Sequence, residues 1–400
     1  MKRLTPALLA LSLSISAASG AEKKYDQGAS DTEILVGNIV PYSGPASIYS
    51  VYAKVFEGYF NRLNEQGGIN GRKIRMISYD DAYSPPKTVE QARRLVESDG
   101  VLFLFGVVGT PTNVAIHKYM NGKKVPQLFA GPGSSALADP RQFPWSIGFQ
   151  ANYRAEGRLY ANHILAQKPQ GRIGVLYQDD DFGKDLLQGL TEGLGDKAPT
   201  MIVAKVSYDT RTPTVDSQIV QLKASSADIL MNFTTPKFAT QAIRKVAELQ
   251  WKPLHFVASV ASHVGSVLKP AGFENANGVI TGHWVKDPND PAMAEDAGVK
   301  EWSAFMTRYY PGGDQTNNIN IIAYVLAQTL EQVLRKAGDD LTRENVMRAA
   351  VNLGAYKPGL LIPGVRIEPS PKDYLVVRDL RLDQFDGVKY APIGPAMEMK

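Results

Sequence analysis

The 400-residue chain contains no cysteine. That excludes disulfides, thiolate metal sites and a cysteine nucleophile, and also the lipid-modified cysteine that tethers many exported bacterial proteins. Dense runs of Lys and Arg are missing too. Of the formal net charge of +4, two units come from Lys2 and Arg3, which is no basis for nucleic-acid binding. The five histidines (His117, His163, His255, His263 and His283) form neither an H-x-x-x-H nor an H-E-x-x-H pair, so metal catalysis has no local support. Gly-x-Ser-x-Gly is absent, and no serine stands in a context that would supply a triad. No catalytic residue, metal or cofactor is assigned. Gly131-Pro-Gly-Ser-Ser-Ala matches a dinucleotide fingerprint after a strand. Asp139-Pro140 and Phe143-Pro144 nevertheless fall where its crossover helix should run, and Pro132 removes an amide the pyrophosphate would use.

What is present begins with Met1–Gly20: Lys2 and Arg3, an apolar run from Ala7 to about Ile15, then small residues at Ala18 and Gly20 or Ser19 and Ala21. This is the pattern of a secretory signal at residues 1–20. No later run approaches the ~20 apolar residues of a spanning helix, so the mature chain is expected to be soluble, periplasmic and not lipid-anchored.

The remainder is long enough for two cores, since one core stops growing near ~250 residues. Its 44% hydrophobic and 21% charged residues are ordinary for a globular protein. Ile34–Val40 is short, apolar and β-branched, as a strand buried on both faces should be. Pro41 ends it, Tyr-Ser-Gly-Pro makes a turn, and a helix is expected from about Ser47 to Glu65, stopped by Gly67–Gly68. Strands at Ile74–Asp80, Val101–Phe105 and Val125–Ala130 alternate with helices reaching Ser98 and Met120. The pattern then restarts: helix Arg154–Gln167, strand Ile173–Tyr177, a helix from Lys184, strand Met201–Ser207, helix Val215–Ala224, strand Ile229–Phe233, helix Lys237–Leu249 and strand Leu254–Val257. Such alternation calls for α/β architecture: two doubly wound parallel-sheet lobes joined near 150–155. Helices at Ala292–Tyr309, Asn318–Lys336 and Glu344–Asn352 are placed with the first lobe, and short strands within Leu360–Tyr390 with the second. The expected division is 28–150 plus 285–352, and 151–284 plus 353–400, with several crossings as a hinge.

Open α/β sheets bind ligands at turns beyond the carboxyl ends of their strands. In the first lobe these turns are Tyr42–Tyr49, Gly109–Asn113 and Gly131–Ser135. In the second they are Asp179–Gly183, Thr234-Thr235 and Ser259–Ser262. Thr110-Pro-Thr opens a helix whose free amides suit a carboxylate. Asp179, Asp180 and Asp181 precede a helix and read as a capping cluster rather than a cation site. Two such rims facing each other describe a cleft that closes over a small molecule.

The ordered set Pro41-Tyr-Ser-Gly-Pro, Asn64-Glu-Gln-Gly-Gly-Ile-Asn-Gly-Arg-Lys, Tyr79-Asp-Asp, Val125-Pro, Val175-Leu-Tyr-Gln-Asp-Asp-Asp-Phe-Gly and Ser225-Ser-Ala-Asp resembles the periplasmic binding proteins of ABC importers. The likeness is to the branched-chain (hydrophobic) amino-acid group related to leucine/isoleucine/valine-binding protein, over nearly all of the mature chain. The resemblance implies a type I binding-protein fold with a three-segment hinge and no enzymatic activity. It also implies delivery of ligand to an ATP-driven inner-membrane permease; a sensor of the same fold feeding a membrane receptor is the alternative, and a monomer is expected. Carried over residue by residue, Tyr49 becomes the cleft aromatic. Gly109, Thr110 and Thr112 fall on the turn that holds a ligand carboxylate, Ala130, Gly131, Gly133 and Ser134 on a second such turn, and Phe182 on the aromatic position of the second lobe. Amino-acid binders of this group carry an acid after the strand equivalent to Leu254–Val257, to neutralise the ligand ammonium. Val260 stands at that place, and Thr234-Thr235 stand where some relatives have aromatics. Enclosing an unpaired ammonium is costly. A small carboxylate without an α-ammonium, aromatic or aliphatic, is therefore expected, with Glu57, Asp179 or Asp181 as the residues that could restore an amino-acid site.

Overall fold

The computed structural model describes residues 23–399; the signal segment expected at 1–20 lies outside them. The first sheet has five parallel strands: β1 (Glu33–Val40), β2 (Lys73–Asp80), β3 (Phe103–Phe105), β4 (Gln127–Ala130) and β5 (Ser146–Gly148), in the order β2-β1-β3-β4-β5. β1 is buried from Ile34 to Val40, so it reads as an unbroken apolar run at the centre of the sheet. The helices α1 (Val51–Glu65), α2 (Pro85–Arg93) and α3 (Thr110–Lys123) connect these strands. α1 starts after a short 3-10 turn at Ser47–Ser50 and stops at Gly67 and Gly68, whose φ values of 98° and 75° favour glycine.

The chain crosses to a second sheet through α4 (Tyr153–Gln167). There β6 (Ile173–Gln178), β7 (Ile202–Tyr208), β8 (Ile229–Phe233), β9 (Leu254–Val257) and β10 (Ile280–His283) run parallel in the order β7-β6-β8-β9-β10. β11 (Asp379–Phe385) and β12 (Tyr390–Pro392) extend the β10 edge antiparallel. The intervening helices are α5 (Asp181–Leu194), α6 (Asp216–Ala224) and α7 (Pro236–Glu248).

The late helices α8 (Ala297–Tyr309), α9 (Ile319–Ala337) and α10 (Arg343–Val351) return to the first sheet. The Tyr59 ring of α1 meets that of Tyr324 in α9 at 5.3 Å, and the Tyr59 hydroxyl donates to Glu331 at 2.5 Å. Three segments therefore cross between the lobes, and they are tied to one another. Trp284 in the second crossing donates its Nε1 hydrogen to Gln150 in the first (2.8 Å). The Ile362 amide of the third donates to the Trp284 carbonyl, and the Lys286 amide to that of Leu360.

Several boundaries differ from expectation. Residues 356–377 carry only isolated bridges, so regular pairing in the tail is confined to β11, β12 and the short strand Met397–Glu398, which pairs antiparallel with the start of β11. The helix expected from Ala292 begins at Ala297, where Asp296 caps it through the amides of Gly298 and Val299. The polar strands β5 and β10 gave no apolar run of useful length. After Gly131-Pro-Gly, a three-residue 3-10 turn at Ser135–Leu137 stands where a nucleotide fold would have a helix. His117 is buried against Phe143.

Candidate functional site

Strand-end turns from both lobes converge on one tight cavity of about 40 Å³ between them. On the first-lobe side the Tyr-Ser-Gly-Pro turn is pinned by Asp80, which accepts from the amides of Tyr42 and Ser43 and from the Ser43 hydroxyl. At Gly44 (φ 80°) a Cβ would sit 2.7 Å from the Ala82 carbonyl oxygen, so only glycine lets this turn pack on the next one. That packing aims Tyr49 into the cavity. Its hydroxyl donates across the cleft to the Val260 carbonyl at 2.7 Å.

The cavity is floored by the start of α3. Gly109, at φ 97°, is its N-cap and supplies no side-chain cap. The amides of the first turn lack intrahelical partners, and the positive end of the helix dipole faces the same way. Neighbouring helix starts are differently committed. The Asn152 side chain caps α4 through the Ala155 amide, and Asp180 caps α5 through the Phe182 amide. At the start of α7 the Thr235 amide donates to the Tyr208 hydroxyl. Among these helix starts, that of α3 carries no side-chain cap, and its first turn presents the amides of Thr110 and Thr112, Pro111 having none.

Seven of the twelve residues singled out in the sequence line this cavity: Tyr49, Gly109, Thr110, Gly131, Phe182, Thr235 and Val260. The other five lie behind it, each with its polar group spent elsewhere. Thr112 donates to the carbonyls of Val108 and Gly109. Ala130 ends β4 with its carbonyl taken by the Phe149 amide. Gly133 lies against the first crossing, where an added Cβ would overlap the Ala151 oxygen at 1.8 Å. Ser134 caps the 3-10 turn through the Ala136 amide, and Thr234 donates to the Asn232 side chain at 2.7 Å. The cavity instead gains Tyr52, Tyr83, Gln150 and Tyr153. Tyr52 stands one helical turn beyond Tyr49, a spacing that could have revealed it. Tyr83 arrives from a left-handed turn (φ 60°) that sequence pattern does not mark.

Electrostatically the lining is unusual in carrying no Asp, Glu, Lys, Arg or His. Burial pushes the phenols of Tyr49, Tyr52, Tyr83 and Tyr153 up, so all stay protonated hydrogen-bond donors. The acids that could have restored an ammonium site are engaged elsewhere. Glu57 is exposed on α1 beside Lys54, Asp179 pairs with Lys184 at 2.8 Å, and Asp181 is exposed. Behind Val260, the buried Glu156 accepts from the Ser259 amide and hydroxyl (2.7 Å each) and from the Tyr160 hydroxyl (2.6 Å). It shapes the turn from the core side. Among the described residues, no group of three His, Cys, Asp or Glu side chains converges to hold a metal ion, and no helix is long and apolar enough to cross a membrane.

Two hinged α/β lobes with an apolar, hydroxyl-rich cleft define a ligand-capturing protein. The chain belongs to the Periplasmic binding protein family, whose profile matches residues 33–387. It is 24% identical to Leu/Ile/Val-binding protein homolog 7 of Brucella abortus (strain 2308) over 372 residues, covering 88% of each chain. Among solved structures it is similar to a branched chain amino acid ABC transporter protein from Thermus thermophilus with bound valine (TM-score 0.81, 16% identity, 93% of this chain and 97% of that one). A fatty acid ABC transporter substrate-binding protein from Thermomonospora curvata matches with TM-score 0.79 at 18% identity, over 94% and 95% of the two chains. The fold is that of type I periplasmic binding proteins.

Proposed function

We propose that this protein is the periplasmic substrate-binding component of an ABC importer and captures a small monocarboxylate with an aromatic or branched aliphatic body and no α-ammonium. The observation that carries the reading is the lining itself: an open helix N-terminus for the carboxylate, tyrosines and Phe182 for the apolar body, and no side-chain carboxylate to receive an ammonium. Burying an ammonium there without a partner costs several kcal/mol. The relatives' names are compatible with either ligand class, since one structure holds valine and another is a fatty acid binder. Residues 28–150 plus 285–352 and 151–284 plus 353–400 act as the two bodies that close, and a monomer delivers the ligand to the permease.

Calorimetry on the mature protein tests the ligand class. Binding of benzoate-like or branched aliphatic acids at least tenfold tighter than leucine or valine supports the reading, and the reverse order overturns it. Deleting the protein from its host should abolish uptake of the identified acid. Retained uptake would assign it to a sensor of the same fold.

A further inference from the structure

The inner cavity has a neighbour. A larger pocket adjoins it at Tyr83, with walls that include Pro45, Pro85, Pro111, Tyr208 and Arg211. Tyr83 is a wall of both spaces. Its ring belongs to the first lobe, and its hydroxyl meets the Gln178 side-chain amide of the second lobe at 3.5 Å. Gln178 is itself held by the Tyr208 hydroxyl (2.9 Å), the Thr235 hydroxyl (3.2 Å) and Asp180. The position of the ring is fixed by unusual backbone. Ala82 and Tyr83 both take left-handed φ values, 51° and 60°, a conformation L-residues with bulky side chains seldom adopt. The buried Asp81 holds that turn through the Tyr83 amide (2.9 Å) and the Thr88 hydroxyl (2.8 Å). Gly109 makes room for the ring, since a Cβ there would lie 2.6 Å from its edge. Strained backbone held in place by surrounding bonds is characteristic of functional positions.

We infer that Tyr83 and Gln178 form a gate between the two spaces and set the maximum length of the ligand. A ligand that fits the inner cavity lets the lobes meet at this pair. A longer one must displace the ring and forfeits closure. The gate rests on the monocarboxylate reading above for the choice of probe, and deepens it by making length the selected property.

The test uses straight-chain monocarboxylates from acetate to decanoate and ω-phenylalkanoates, titrated into the wild type, Tyr83→Gly and Tyr83→Phe. Glycine suits the left-handed backbone at position 83, and the unliganded thermal midpoint checks that each variant folds. Tyr83→Asn, which tolerates the same backbone and has a much shorter side chain, substitutes if the glycine variant does not fold. The wild type should bind more tightly as the chain grows and then lose affinity sharply. Tyr83→Gly should move that loss to longer chains, each newly admitted methylene tightening binding about four-fold. Tyr83→Phe should keep the limit and weaken all lengths alike. An unmoved limit in a folded Tyr83→Gly that still binds short acids overturns the gate and leaves the monocarboxylate reading standing. If the wild type binds amino acids instead, that reading falls, and the gate is judged by whether the limit moves in a series from alanine to 2-aminooctanoate. Binding of neither series overturns both.

Discussion

Thr110 concentrates the chemistry of the cleft in one residue. It opens α3, lines the cavity and is almost wholly buried. A hydroxyl beside the free amides of a helix start can donate to a carboxylate, and such charge-assisted bonds contribute about 1.5–3 kcal/mol. Thr110→Val should therefore weaken binding of the identified acid roughly tenfold to a hundredfold by calorimetry, with little change in the unliganded midpoint. Val260 tests the opposite wall. Val260→Glu would place a carboxylate where the cavity has none, so amino-acid binding should appear and affinity for simple acids should fall. A variant that folds but binds neither class would count against this placement of position 260. The residues legible in the sequence were those at strand ends, where glycine and hydroxyls cluster. Tyr83, Gln150 and Tyr153 were not legible: each is carried in by a turn or crossing whose direction depends on long-range packing.

At the scale of elements, alternating apolar strands and amphipathic helices located most of both sheets. What escaped was either short and polar, like β5 and β10, or irregular, like residues 356–377, where burial rather than pairing keeps the chain in place. α3 shows the limit of periodicity as a guide. Its residue His117 is buried against Phe143, and burial holds the imidazole down at about 4. His255, on β9, is likewise held at about 4 by burial. A histidine whose folded value is depressed contributes stability that is fully present above its unfolded value near 6.5. That stability is lost as pH falls toward 4, at about 1.4 kcal/mol per pH unit and per group at most. The buried carboxyls of Glu156 and Asp81, raised chiefly by burial, act in the opposite sense as they take up protons. Denaturant titrations of the wild type and His117→Phe at pH 7, 6 and 5 separate the two contributions. The variant should lose less stability on acidification by up to about 1.4 kcal/mol per unit below pH 6.5; parallel pH profiles would show that His117 does not titrate on unfolding.

At the scale of the whole molecule, the two lobes are joined by direct hydrogen bonds. Tyr49 donates to the Val260 carbonyl, and the Ser135 amide donates to Asp185 at 2.8 Å. On the proposed function the ligand is held between the lobes, so its measured affinity is its affinity for the closed form scaled by the fraction of molecules that are closed. A single interlobe hydrogen bond with a net contribution of about 0.5–1.5 kcal/mol shifts that equilibrium roughly two- to tenfold. Tyr49→Phe removes this bond and leaves the ring against Tyr52. It should move unliganded protein toward the open form and weaken every ligand by a similar factor, whatever the ligand's size. The missing cysteines make the measurement direct, because cysteines placed at the exposed Lys54 and Lys205 would be the only labelling sites. Spin-label distances between them should lengthen in unliganded Tyr49→Phe relative to the same pair in the wild-type background, and return to the closed distance at saturating ligand. An unliganded distribution unchanged by the substitution would mean that Tyr49 acts on the ligand alone, and closure would then depend on the crossings that tie Gln150, Trp284 and Ile362 together.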